Sequence, residues 1–221
     1  MLVSAEEAAP RAVDGRVPGR RGLATRQRLL DQVAEMLAAS SYRDVRVVDV
    51  ARAAGTSPAT FYQYFADVEE AVLALAEEVA RVVQDTLVPL AEGPRWRGRQ
   101  GYEAALRVVD GYLDFWDDHG AVVRVMDLGT NEGDARFRQL RSRLFTRFNE
   151  ALADRVTQER PVGDDVDPRA TAGAMTSMLA HVADHRYGFE AYGIRTADVR
   201  ETMGRILFTT VTGRPPPSSG V

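Results

Sequence analysis

Apolar residues recur at steps of three and four along most of the chain, and no β-branched run alternates with polar positions for long. The pattern predicts helices throughout and an all-α fold. Leu29, Leu30, Val33, Ala34 and Leu37 fall on one face of a first helix, which Thr25 would cap and Ser40 and Ser41 would end. A short helix is expected over 47–54. Gly55 then supplies a left-handed turn, Ser57 an N-cap and Pro58 the first residue of a third helix over 58–64, where its missing N–H costs nothing. Asp67 and Glu70 form a capping-box pattern ahead of Val72, Leu73, Leu75, Ala76 and Val79, which predicts a long helix reaching Val83 or beyond and ended by Pro89, Gly93 and Pro94. Further helices are expected over 101–117, 119–130, 134–160, 168–187 and 197–212, with 163–167 and 188–196 as connections; about nine helices result.

A chain of 221 residues buries a substantial core and suits a small domain joined to a larger one. The expected division is a disordered basic arm over 1–21, a three-helix domain over 22–66, a larger helical domain over 67–213 and a disordered tail over 214–221, where three prolines precede serines. The net charge of -4 argues against a polyanionic partner until its distribution is considered. Residues 1–65 carry nine arginines against seven acids, and the remainder nineteen against twenty-five. Between residues 11 and 28, Arg11, Arg16, Arg20, Arg21, Arg26 and Arg28 face only Asp14, a composition suited to phosphate.

Every one of the 28 basic residues is arginine, and there is no cysteine, which excludes disulfides, thiolate metal sites and cysteine nucleophiles. Neither a signal-peptide pattern nor a membrane-length apolar run is present, so a cytoplasmic location is expected. The chain shows no glycine-rich phosphate loop, no nucleophile elbow and no lysine, and neither an enzyme nor a cofactor is expected. His181 and His185 have the spacing of metal ligands. However, HVADH lacks a glutamate after the first histidine and no third ligand is evident, so surface or interface histidines are expected and no metal.

The segment VVDVARAAGTSPATFYQYF, Val47 to Phe65, has a mechanical reason for each feature. Ala51 is small where two helices cross, and Gly55 follows where the chain needs a positive φ. Val50, Ala54 and Phe61 point inward against Leu30, Val33 and Leu37. A short third helix held in this way presents its outward side chains to a major groove, as in a helix-turn-helix.

The stretch from Thr25 to about Ala80 resembles the N-terminal region of the TetR family of bacterial transcriptional regulators. The resemblance rests on the arginine-rich start of the first helix, on DVARAAGTSPATFYQYF and on the acidic helix start EEAVLAL. It implies a recognition helix over 58–64, with Pro58, Ala59, Tyr62 and Gln63 at the bases and Thr60 and Tyr64 at phosphate; Arg46 and Ser57 complete the expected DNA-contacting set. Gln63 is the best base reader, since its amide both donates and accepts toward adenine. The family often has Thr or Ser at Arg46 and Lys at Val68. Val68 removes a phosphate contact, Arg46 can restore one, and Arg20 or Arg21 can reach a minor groove.

One recognition helix covers few base pairs, so two copies on a two-fold site are expected. The resemblance places the homodimer contact on the last two helices, where Ala170, Ala172, Gly173, Ala174 and Ala180 allow close approach. Met175, Met178, Leu179, Val199, Met203, Ile206 and Leu207 supply apolar area there. It also implies an effector cavity among the middle helices. Tyr112, Phe115, Trp116, Met126, Phe145, Phe148 and Met178 are its candidate lining, with Asn149, Tyr102 or Tyr112 adding polar contacts. The expected function is a ligand-responsive regulator: a homodimeric repressor released from a palindromic double-stranded DNA operator by a small, largely apolar molecule. The alternative is a helical ligand-binding or protein-interaction module with weak or lost DNA binding, as Val68, Pro58 and the negative net charge would allow.

Overall fold

The computed structural model describes residues 12–161 and 163–217, and every regular element among them is helical. In chain order these are α1 (Arg20–Ala39), α2 (Val47–Ala53), α3 (Pro58–Tyr64), α4 (Val68–Val82), α5 (Val88–Glu92), α6 (Gly98–Asn131), α7 (Ala135–Leu144), α8 (Thr146–Glu159), α9 (Pro168–Asp184), α10 (Arg186–Ala191) and α11 (Thr196–Thr212). A 3-10 turn at Tyr42–Asp44 precedes α2, and a π turn at Val83–Leu87 joins α4 to α5. The all-α expectation holds. The π turn joins α4 to α5 without a gap, and single residues separate α7 from α8 and α9 from α10, so the count of about nine depends on where a helix is said to end. Contacts divide the chain into two units, Met1–Glu77 with Ala121–Phe137, and Glu78–Gly120 with Arg138–Val221.

The first unit is built around α1. Leu29, Leu30 and Val33 are fully buried, together with Val50 and Ala51 of α2 and Phe61 of α3. Between α2 and α3 the Thr56 N–H donates to the Ala51 carbonyl (2.9 Å) and the Gly55 N–H to that of Arg52 (3.1 Å), with Gly55 at φ +67°. This Schellman turn ends α2 and turns the chain into α3. Ser57 then caps α3 by accepting the Thr60 N–H. Asp67 accepts the Glu70 N–H (2.8 Å), which is the first half of the predicted capping box, while the Glu70 carboxylate reaches one residue past the cap to the Ala66 N–H (2.5 Å).

Helix α1 starts at Arg20, one and a half turns before the expected cap, and the Thr25 hydroxyl donates back to the Arg21 carbonyl (3.1 Å) instead of capping. Arg20, Arg21, Leu23 and Ala24 are good helix formers and outweigh Gly22, and Pro18 lies just ahead of the start. Residues 1–11 of the expected disordered arm lie outside the described residues. Residues 12–19 form a strap against α3, in which the Ala12 N–H donates to the Arg16 carbonyl (2.9 Å) and the Val13 N–H to that of Gln63 (3.0 Å). Backbone hydrogen bonding holds this segment where composition predicted no packed element.

In the second unit α8 packs against α5, α9 and α11. Its inner end carries a buried ion pair, Arg155 and Glu159 (3.6 Å), whose side chains are 4% and 0% exposed. Arg155 donates to the carbonyls of Ala91 (3.1 Å) and Gly93, and Glu159 accepts the Trp96 N–H (2.9 Å). Arg155 is thereby met by backbone carbonyls and Glu159 Oε1 by the Trp96 N–H, while Glu159 Oε2 makes no hydrogen bond and has Arg214 at 3.8 Å, and the loop between α5 and α6 is pinned to α8. At the far end of the chain the Arg214 guanidinium reaches the Glu159 carbonyl (3.4 Å), while residues 218–221 of the expected tail lie outside the described residues.

Four boundaries differ from the pattern. Pro89 does not stop its helix: in the π turn Val88 N–H donates to Val83 O, five residues back, and the widened turn admits a residue that lacks a donor. Helix α6 runs unbroken through Asp117–Gly120, because a single glycine costs a helix only ~1 kcal/mol and no proline intervenes. The helix expected over 134–160 breaks at buried Phe145 (φ −107°, ψ 10°). The connection expected over 188–196 holds part of α10, which follows α9 after His185.

Candidate nucleic-acid interface and effector region

Phe61 and Phe65 take the inward positions of α3 and its C-cap, with ring centroids 5.5 Å apart. The rest of the helix faces out: Pro58, Ala59, Tyr62 and Gln63 are exposed and Thr60 and Tyr64 half-buried. Tyr62 is 52% exposed, so it is not a core aromatic. Ser57 and Thr60 share a hydroxyl hydrogen bond (3.0 Å), which commits part of their polar capacity to the cap. Arg46 is exposed at the N-cap position of α2, with no side-chain hydrogen bond to the helix start. It lines an open groove of about 520 Å³ with Val48, Tyr62 and Val68. A second open groove, about 630 Å³, lies on the other side of Tyr62 and is lined by Arg16, Gly22, Gln63 and Tyr64. The structure thus gathers all eight expected DNA-contacting residues on or beside α3. The strap was missed, because its hydrogen bonds are made by backbone and leave no periodic signal.

A second feature of the first unit went unread. Gly133 (φ +96°) turns the chain between α6 and α7, and the Phe137 ring lies where a Cβ on Gly129 would stand. Beside this corner Arg136 pairs with Glu69 in the first turn of α4 and with Asp134 (2.7 Å). Its guanidinium holds the Asp134 carboxyl well below the usual range, while burial raises that of Glu69. A hollow of about 370 Å³ lies against the pair, lined by Tyr42, Glu69, Val125, Glu132 and Phe137 among others. Burial, and then the Glu69 charge, raise the Tyr42 phenol above its ordinary value.

Of the expected effector set, five residues meet in the second unit. The Tyr112 ring stacks on Phe145 (5.4 Å) and Trp116 (6.3 Å), tilts against Phe148 (5.6 Å) and meets Phe115 edge-on (6.3 Å). Two buried polar atoms of the expected set have no hydrogen-bond partner, the Tyr112 hydroxyl and Asn149 Oδ1. Burial pushes the Tyr112 phenol far up, so it is neutral and a donor at any physiological pH. The Trp116 indole N–H is committed to Asp184 (3.0 Å). Met178 is half-buried on α9, and Met126 is buried in the first unit. Tyr102 is engaged with Glu201 (2.7 Å) on α11; burial and this contact push its phenol up to about 12. His181 and His185 stack at 4.1 Å, and among the described residues no group of three His, Cys, Asp or Glu is placed to hold a metal.

Residues 29–75 match the model of bacterial regulatory proteins of the tetR family, and residues 87–218, more than half of the chain, match that of the tetracyclin repressor-like C-terminal domain. The chain belongs to the TetR family. It is therefore a transcriptional regulator with an N-terminal DNA-binding domain and a C-terminal ligand-binding domain, and not an enzyme. Among similar solved structures is a TetR-family regulator from Streptomyces coelicolor, 18% identical with a TM-score of 0.66, covering 86% of this chain and 82% of that one. The fatty acid degradation regulator FadR from Bacillus halodurans is 16% identical with a TM-score of 0.63, covering 90% and 97%. FadR from Bacillus subtilis, in complex with stearoyl-CoA, is 16% identical with a TM-score of 0.62, covering 85% and 98%. At such identities these likenesses concern the fold. No helix of the described residues is long and apolar enough to cross a membrane.

Proposed function

We propose that this TetR-family regulator is a homodimeric repressor that reads a palindromic double-stranded DNA operator through α3 and is released by a small, largely apolar effector. The outward face of α3 carries the proposal. Pro58, Ala59, Tyr62 and Gln63 are exposed on a short helix whose opposite face is fixed by Phe61, which leaves Gln63 to read a base edge and Tyr62 to meet thymine methyl groups. Thr60, Tyr64 and Arg46 serve phosphate, with Ser57 setting the helix start. Two-fold pairing through α9 and α11 supplies the second half-site. On these helices Ala172, Leu179, Ala180, Met203 and Leu207 are buried within the chain, whereas Ala170, Ala174 and Ile206 are exposed, and a Cβ on Gly173 would meet open space.

The effector reading is supported by the cluster of Tyr112, Phe115, Trp116, Phe145 and Phe148, with two orphaned polar atoms at Tyr112 and Asn149 that a ligand's acceptor and donor would satisfy. A long acyl chain, as in the stearoyl-CoA complex of the similarly folded FadR, is a compound of the class such a lining suits. Selection of genomic DNA with the purified full chain tests the operator reading. A palindromic site should be recovered, and the double variant Gln63→Ala/Tyr64→Ala should bind it at least ~10-fold more weakly, since each good base contact is worth about 1–3 kcal/mol. Recovery of no site, or an undiminished double variant, would favour a ligand-binding or interaction module instead.

A further inference from the structure

Residues 12–22 precede the recognition unit, yet they are built onto it. The Val13 N–H donates to the Gln63 carbonyl (3.0 Å), one of the carbonyls that the C-terminal end of α3 leaves without a helical partner. A reverse turn with Gly15 at φ +81° closes the strap, as the Gly15 N–H donates to the Ala12 carbonyl (2.8 Å). Gly22 permits the close approach of the three parts. A Cβ there would come within 2.8 Å of Pro18 Cβ and 3.2 Å of the Tyr64 hydroxyl. The result is the open groove of about 630 Å³, whose walls are the strap on one side and Tyr62, Gln63 and Tyr64 on the other.

The charges of this segment point outward. Arg16, Arg20 and Arg21 are exposed, and Asp14, which holds Arg16 at 2.7 Å, is the only acid between residues 12 and 22, so the net charge there is +2. The first turn of α1 contains no acid. Two arginines in the first turn of a helix oppose its dipole. An anion seated beside them attracts both the arginines and the helix N-terminus and so offsets that repulsion.

We infer that residues 12–22 are a second DNA-contacting element, in which Arg16, Arg20 and Arg21 hold the sugar–phosphate strand next to the bases met by α3, in the groove beside Gln63 and Tyr64. This rests on the operator-binding reading above and extends it: each half-site is longer than α3 alone can cover, and much of the affinity is salt-dependent. Charge complementarity and continuity with the exposed face of α3 select DNA over a protein partner for this groove.

The test uses the full chain on its selected operator. The triple variant Arg16→Gln/Arg20→Gln/Arg21→Gln should reduce the slope of log Kd against log salt by about 2.7, at close to 0.9 per lost phosphate contact, and should shorten the hydroxyl-radical footprint at the outer edge of each half-site. Val13→Pro keeps all three charges but removes the N–H that holds the strap; it should also shorten the footprint, with a smaller loss of slope. Thermal unfolding checks that both variants keep their fold, which is expected because neither touches a buried side chain. A parental slope and footprint in both variants would overturn the inference while leaving the operator reading intact. An altered oligomeric state in sedimentation with an unchanged slope would overturn it too, and assign the groove to a second copy of the chain. A parent chain that binds no operator overturns both readings.

Discussion

Tyr112 shows how much a single residue's environment adds to its identity. Its position among aromatic residues was legible, because Tyr112, Phe115 and Trp116 fall at helical spacing on α6 and Phe145 and Phe148 lie on or beside α8. That its hydroxyl is buried with nothing to bond was not legible, because it depends on what the facing helices place opposite. An unsatisfied buried hydroxyl costs about 1–3 kcal/mol. Tyr112→Phe should therefore leave the effector-free protein equally or more stable in urea unfolding while weakening its response to the effector. A clear loss of stability would mean that the hydroxyl already has a partner. Gly55 and Ser57 represent the opposite case, since a positive φ and an N-cap are demanded by the local chain alone and both stand where the pattern put them.

Helix α4 begins at a junction of local and distant forces. Its cap is written in four consecutive residues, Asp67 to Glu70, and could be read directly. The pairing of Glu69 with Arg136 joins residues 67 positions apart, so no local rule reveals it. Both partners are well exposed, at 36% and 59% of their side chains, so water screens the pair and its contribution is small. Arg136→Gln should accordingly lower the amide protection of the first turn of α4 in hydrogen exchange by up to ~5-fold, and leave α8 unaffected. The charge swap Glu69→Arg/Arg136→Glu should restore it, and equal protection in all variants would show that the cap alone holds the turn. The misplaced helix ends have related causes. Pro89 was read as a stop, but a π turn absorbs it, and the break at Phe145 has neither glycine nor proline to announce it.

At the scale of the whole molecule, association is the open question that the surface of α11 can answer. Ile206 is 37% exposed on a helix whose other large apolar residues, Met203, Leu207 and Phe208, are buried. If α9 and α11 pair across a two-fold axis, Ile206→Glu buries a charge in the contact. The variant should then sediment at half the parental mass and bind the operator at least ~10-fold more weakly, because the second half-site is lost. An unchanged mass would place the dimer contact elsewhere. The sequence by itself determined the all-helical class, the helix-turn-helix from Val47 to Phe65 and the outward set on α3, since each follows from periodicity and from backbone demands within a few residues. Only the tertiary structure decided where the strap lies, which aromatic residues meet, that Arg155 and Glu159 form a buried pair, and that α6 passes unbroken from one unit to the other. These depend on contacts between segments tens of residues apart, or on burial strong enough to override a local signal, and neither quantity is carried by any short stretch of the chain.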